Sequence, residues 1–211
     1  MKNLIIIGSR GMGREVYDLA IQCSGYKSDY VVKGFLDDKA DALLNFDNYP
    51  KIISSVEEYE VQENDVFVCA LGDIKWKKHY VELILAKGGK FINLIHPSTN
   101  LNTNATIGNG LIVFMYANIS NDCIIEDYVT IQGYVGLGHD TKICKWSHLS
   151  SFSFTGGFVI LEEQVLLNTR ATILPHVIVR KGATVGASSL VIKNVKENTT
   201  VFGVPAKKLE F

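Results

Sequence analysis

A chain of 211 residues is long enough for one large domain or two small ones. Its formal net charge of −1, with 20% charged residues, makes no electrostatic case for nucleic acid or an anionic membrane surface. No apolar run approaches the length of a membrane span, nothing resembles a signal peptide, and Cys23, Cys69, Cys123 and Cys144 show neither paired nor metal-type spacing, so membrane insertion is not expected and a cytoplasmic setting is.

Residues 2–8, KNLIIIG, predict a buried parallel strand closed by glycine. The turn SRGMG follows, and then REVYDLAIQC, whose Val16, Leu19, Ala20 and Cys23 make a helical face. Strands are expected over 30–36, ending in Asp37-Asp38, and over 66–71, ending in Gly72-Asp73. A helix over 77–86 and a strand over 91–95 complete an alternation that predicts a parallel sheet with helices on its faces. Such sheets place ligands at the carboxyl ends of their strands. The loop Gly8, Ser9, Arg10, Gly11, Met12, Gly13 leads into a helix start that suits a phosphate, although the same residues make an ordinary tight turn. Its glycines are three and two apart, so the dinucleotide pattern G-x-G-x-x-G is absent. Asp37 and Asp38 could accept from a ribose or a base, or serve as plain turn residues. A nucleotide-containing ligand is the expectation for this half. The segment His96 to Asn100 is a natural break, dividing a Rossmann-like domain, 1–97, from a second domain, 98–211.

From Leu101 to Val191 the chain counts in sixes. Of the sixteen positions in that register fifteen are Leu, Ile or Val, and Thr155 is the exception. A second register four residues on, from Ala105 to Val195, holds small or β-branched residues, with Leu111 its one bulky member. A period of six fits no helix face. It predicts a short strand and a turn, three to a coil, stacked as a parallel β-helix of a little over five coils. The third and fourth positions of each hexad make the corner, and one corner carries His139 and Asp140. An imidazole beside a carboxylate suits a general base, though two such residues on an outer turn are also an ordinary solvated pair. Gly157, one coil later at the same corner, offers with Gly156 unobstructed backbone amides of the kind an oxyanion needs, or simply a tight turn. His148 lies nine residues past His139, half a coil round, and cannot easily reach it within one chain.

Read together, the segments IIIGSRGMGRE, FLDD, ALGDIKWK, HPSTNLNTNATIGNG, GLGHDTKICKWSHLSSFSFTGG, ATILPHVIV, TVGASSLVIKNV and VFGVPAKK resemble the PglD/NeuD family of bacterial sugar acyltransferases over essentially the full chain. The resemblance implies a left-handed β-helix assembled as a homotrimer. It also implies transfer of acetyl from acetyl-CoA to an amino or hydroxyl group of a sugar, mostly a nucleotide-linked one, with UDP or GDP as the nucleotide expected here. By position, His139 matches the family's general base, Asp140 the carboxylate that orients it, and Gly157 the backbone amide that holds the thioester oxygen. Gly8, Ser9, Arg10, Gly11, Gly13, Asp37, Asp38, Gly72 and Asp73 match the sugar-nucleotide site, and His148 a second active-site histidine that could face a neighbouring chain's His139. Gly156, Gly157, Thr169, Gly186, Ala187 and the tail from Gly203 to Lys207 match the coenzyme A groove. Gln132 stands where many relatives have Asn, and Pro175-His176 replaces a Pro-Gly, so His176 is expected to be an exposed turn residue. The glycine that often follows the inward aliphatic is missing at Phe114, Glu126, Glu162 and Asn168, which is expected to touch only turn conformation.

The expected reaction is N-acetylation of a nucleotide-linked amino-dideoxy sugar, with O-acetylation of sialic acid or another glycan sugar as the alternative. A non-catalytic scaffold or sugar-nucleotide sensor is disfavoured by the intact His139, Asp140 and Gly157. A zinc hydratase on the same prism needs converging histidines, two of them usually five apart. His79, His96, His139, His148 and His176 include no such pair, and no metal is expected.

Overall fold

The computed structural model describes residues 1–209, and the chain divides between Pro97 and Ser98 into two compact units. The first contains β1 (Lys2–Ile7), α1 (Gly11–Gln22), β2 (Tyr30–Leu36), β3 (Ile52–Ser54), β4 (Asp65–Cys69), α2 (Ile74–Ala86) and β5 (Lys90–Phe91). The sheet runs β3-β2-β1-β4-β5 with every pairing parallel. Leu4, Ile5, Ile6 and Ile7 are fully buried, which is why the central strand reads as an unbroken aliphatic run rather than an alternation. Strand order turns outward in both directions from β1, so the crevice past the carboxyl ends of β1 and β4 is the switch point where such sheets take ligands.

Several boundaries differ from the sequence reading for local reasons. Helix α1 begins at Gly11, inside the expected glycine turn. Helix α2 begins at Ile74 because Asp73 Oδ1 accepts the Trp76 amide at 3.1 Å and caps it. Strand β4 stops at Cys69, and the expected strand over 91–95 is broken into Lys90–Phe91 and Leu94–Ile95. The three-residue edge strand β3 carries too short a pattern to be read from sequence.

The second unit is a parallel β-helix. Two-residue strands recur every six residues, and up to Thr172–Ile173 each pairs with the strand eighteen residues on, as Asn118 with Gly136, Ile124 with Lys142 and Thr130 with His148. Three hexads therefore close one coil, and coils stack at about 4.8 Å. The aliphatic register is buried at every position from Val113 to Val191. The fourth position of each hexad, fourteen in succession from Gly110 to Ser188, is left-handed with φ between 55° and 69°. Only two of these, Gly110 and Gly182, are glycine; the others carry a conformational cost on the order of 1 kcal/mol each. Contact between like corners offsets part of it. The rings of Tyr116, Tyr134 and Phe152 form a column with successive centroids 5.1 and 4.9 Å apart, and Tyr128 stacks on Trp146 at 4.5 Å, contacts worth about 0.5–1.5 kcal/mol apiece.

Glycines at the second position answer a different need, which corrects the expectation that they set only turn conformation. A Cβ on Gly138 would lie 2.6 Å from the Gly156 carbonyl carbon and the Gly157 nitrogen, so the glycine admits the next coil. Inside the prism, Thr141 Oγ1 donates to the Gly156 carbonyl at 3.2 Å and Ser147 Oγ to the Glu162 carbonyl at 3.1 Å. The buried hydroxyls of Ser153 and Thr155 have no hydrogen-bond partner among the described residues. Replacing a lone buried hydroxyl by a methyl of the same shape removes a desolvation cost. Thr155→Val is therefore expected to stabilise the β-helix by about 1 kcal/mol, read as a raised Tm by calorimetry with unchanged far-ultraviolet circular dichroism; a lowered Tm would contradict this account.

Candidate functional site

His139 and Asp140 form the corner between strands Gly136–Leu137 and Lys142–Ile143. The corner is pinned to both neighbouring coils: the Asp140 amide donates to the Asn121 carbonyl, and the His139 carbonyl accepts from the Phe158 amide, each at 3.0 Å. Asp140 is in the left-handed conformation at φ 58°, and its Oδ2 lies 2.7 Å from His139 Nδ1. With Nδ1–H donating to the carboxylate, Nε2 carries the lone pair and can accept a proton. The two side chains are 58% and 42% exposed on the single chain, so the acceptor is open to a ligand.

Gly157 lies directly beneath the imidazole. A Cβ there would sit 2.8 Å from both Nε2 and Cε1 of His139, so any other residue would displace the ring. Its amide is also left open by the coil pattern. At three other corners a second-position side chain reaches the third-position amide nineteen residues on: Glu126 accepts from the Lys145 amide at 3.2 Å, Gln132 from Ser151 at 3.1 Å and Glu162 from Lys181 at 2.9 Å. The residue nineteen before Gly157 is Gly138, which has no side chain to offer. The Gly156 amide is committed to the Ile173 carbonyl at 2.8 Å, whereas that of Gly157 donates to no backbone carbonyl among the described residues. An imidazole acceptor and an open amide thus share one corner. The same pattern gives Gln132 a structural role: it caps the turn at Ser151.

Two side chains at this corner escaped the sequence reading. Phe158 meets His139 edge-on at 5.1 Å, and His176 stacks on Phe158 at 4.9 Å with 5° between the planes. His176 is exposed, as expected, but belongs to this column. The signal was available, because Asp140, Phe158 and His176 are eighteen apart. His148 is elsewhere, on strand His148–Leu149, and only 6% exposed. Of the residues expected in the coenzyme groove, Thr169, Ala187 and Lys207 are exposed, and Phe202 occupies the place of a Cβ on Gly186. Lys207 lines a cavity of about 460 Å³ together with Lys193, Lys196 and Lys208, a basic surface suited to phosphates.

In the first unit a cavity of about 440 Å³ occupies the switch point, lined in part by Gly8, Arg10, Asp37, Asp38, Gly72 and Asp73. Gly8 has φ +90°, and Gly13 packs so closely that its Cβ would strike the Gly8 carbonyl. Gly11 and Gly72 have nothing within 4 Å of an added Cβ and leave open space. Ser9 is fully buried, and its amide and hydroxyl donate to Asp37 Oδ2 at 2.9 and 2.8 Å, while Oδ1 accepts the Lys39 amide at 3.0 Å. Asp37 is thus a latch that shapes the loop, rather than the open carboxylate expected for a ligand, and Ser9, Gly11 and Gly13 support the cavity without lining it. Asp38 accepts the Tyr80 hydroxyl. Burial and this carboxylate push the Tyr80 pKa up, keeping the phenol protonated. Helix α1 has no side-chain cap, so its first amides remain available to an anion beside Arg10. Among the described residues no cluster of His, Cys, Asp and Glu could hold a metal ion, and no helix is long and apolar enough to cross a membrane.

Residues 3–84 match the family model described as the PglD N-terminal domain. The chain is 30% identical over 135 residues to a serine acetyltransferase of Bacillus pumilus, covering 63% of this chain and 56% of that protein. It is 26% identical over 149 residues to the GDP-perosamine N-acetyltransferase of Escherichia coli O157:H7, covering 68% of this chain and 67% of that one. The chain therefore spans little more than half the length of the first of these relatives. Among solved structures, the acetyltransferase domain of PglB from Neisseria gonorrhoeae matches with a TM-score of 0.89 and 26% identity over 99% of this chain and 100% of that one. That domain has also been solved in complex with acetyl coenzyme A.

The geometry of the corner yields its own test. Gly157→Ala places a methyl where the imidazole lies, and misplacing a reacting group by about 1 Å costs on the order of a hundredfold. We expect turnover to fall by about that much while Tm stays within a few degrees of wild type, measured by steady-state kinetics and thermal melts.

Proposed function

We propose that this chain, whose residues 3–84 match the PglD N-terminal domain model, is an acetyl-CoA-dependent N-acetyltransferase acting on a nucleotide-linked amino sugar. The observation that carries this reading is the His139 imidazole, oriented by Asp140, lying over the open amide of Gly157. The likeness to the GDP-perosamine N-acetyltransferase and to the PglB acetyltransferase domain supports the amino sugar as acceptor and acetyl-CoA as donor.

The sugar amine attacks the thioester carbonyl carbon, forming the C–N bond. As it does so, His139 Nε2 takes the proton from the amine, and Asp140 stabilises the resulting imidazolium. The carbonyl oxygen gains negative charge and receives the Gly157 N–H. Collapse breaks the C–S bond, and the leaving thiolate takes the proton from His139, giving the amide and free coenzyme A. Every proton movement passes through one ring nitrogen. The lysine-lined cavity at the carboxyl end is assigned to the phosphates of the coenzyme, and the switch-point cavity to the sugar nucleotide. The exposed flank of His139 is where a neighbouring copy in a homotrimer would complete the cleft, and a cytoplasmic setting fits the use of acetyl-CoA. The same base would serve a sugar hydroxyl. O-acetylation is therefore the second reading, favoured by the likeness of part of the chain to a serine acetyltransferase.

His139→Ala should lower turnover by roughly a hundredfold or more, the usual scale for loss of a general base. Acetyl-CoA affinity by calorimetry should change little, and Asp140→Asn should cost less because it keeps the base. A purified His139→Ala protein retaining most of its activity would show the mechanism to be wrong.

A further inference from the structure

The switch-point cavity contains one side chain that the loop, the carboxylates and the helix dipole leave unexplained. Trp76 stands in its wall with half its surface exposed. The chain has two tryptophans, and the other, Trp146, is 8% exposed and stacked in a corner column. Leaving an indole in water forgoes a large burial term, so a rigidly held, half-exposed one in a cavity is a candidate contact surface.

It is rigidly held. Its amide is fixed by Asp73 at the start of α2, and its ring stacks on Tyr80 with centroids 5.7 Å apart and 28° between the planes. Tyr80 in turn is anchored through its hydroxyl to Asp38, forty-two residues away. His79 meets the indole edge-on at 5.7 Å. The groups around this platform are complementary to the remainder of a nucleotide. Asp38 and Asp73 present carboxylate acceptors for hydroxyl or N–H donors, and Arg10 with the uncapped amides of α1 presents positive charge for a diphosphate.

We propose that Trp76 is the stacking platform for the nucleobase of the sugar nucleotide, with Tyr80 as the positioning residue beneath it. This rests on the sugar-nucleotide reading given above. A base stacked on an aromatic side chain is stabilised through its π-face whatever its hydrogen-bonding edge, so the platform supplies affinity for a uridine or a guanosine diphosphate alike. It contributes nothing to an inorganic diphosphate.

The buried position of Trp146 makes Trp76 the natural fluorescence reporter of its own occupancy. The full-length protein is titrated separately with UDP, GDP and inorganic pyrophosphate, following tryptophan emission and, in parallel, heat by calorimetry. UDP or GDP should bind and quench the emission, and the one that does so more tightly identifies the base; pyrophosphate should not quench. Trp76→Phe should lose the quench while keeping most of the affinity. Trp76→Ala should weaken nucleotide binding about tenfold or more, the scale of one lost base stack, and the loss should appear in KM for the sugar nucleotide rather than in kcat. Nucleotide binding by calorimetry with neither a quench nor any weakening in Trp76→Ala overturns the platform and leaves the sugar-nucleotide reading standing. Absence of binding by both nucleotides and by the sugar nucleotides overturns that reading itself, and the platform with it.

Discussion

The eighteen-residue coil is the constraint on which the second unit depends. Main-chain hydrogen bonds such as that from the Gly138 amide to the Thr155 carbonyl, at 2.8 Å, hold each residue beside the one eighteen further on. Chemistry at the His139 corner follows from this translation. Gly157 is beneath the imidazole because it is eighteen residues on. Its amide has no side chain from the preceding coil to cap it, since the position nineteen before it is a glycine, whereas Glu126, Gln132 and Glu162 close the equivalent amides at three other corners. The glycine at 138 leaves that donor uncapped, and the missing Cβ at Gly157 makes room for the imidazole above it.

The same translation governs stability. Corners that must be left-handed are built here mostly from tyrosine, phenylalanine, tryptophan and aspartate rather than glycine. That choice costs conformational energy at each corner, but the coil spacing of about 4.8 Å lies within the range of aromatic contacts, so a ring at one corner can meet a ring at the next. Phe158 connects this structural device to the His139 corner, since it stacks on His176 and makes a T-shaped contact with His139. Packing along a column thus helps hold the His139 ring.

The first unit works by a different principle, in which long-range side-chain bonds shape the strand-end loops. Ser9 and Asp37 close the glycine loop across twenty-eight residues, and Tyr80 and Asp38 tie α2 to the end of β2. Asp73 starts the helix that carries Trp76. The two neighbouring aspartates at the end of β2 therefore differ in role. Both line the cavity, but Asp37 has one oxygen engaged by Ser9 of the glycine loop and the other by the Lys39 amide, whereas Asp38 holds Tyr80 through one oxygen.

What the sequence by itself determined was the solenoid and the layout of its His139 corner. A strictly repeated period converts spacing along the chain into neighbourhood in space, so the pairing of His139 with Gly157, the buried registers and the lone Thr155 follow from counting residues alone. The alternation of strands and helices in the first unit was legible for the related reason that β1 is a solid aliphatic run. Only the tertiary structure decided the rest. The engagement of Asp37 by Ser9, the tether from Tyr80 to Asp38 and the exposed face of Trp76 depend on strand order and helix placement, which bring together residues with no periodic relation. Which of the two expected glycine amides is open was decided in the same way, because that of Gly156 is committed to the Ile173 carbonyl and that of Gly157 to no backbone carbonyl among the described residues, a difference that exists only once the coils are stacked.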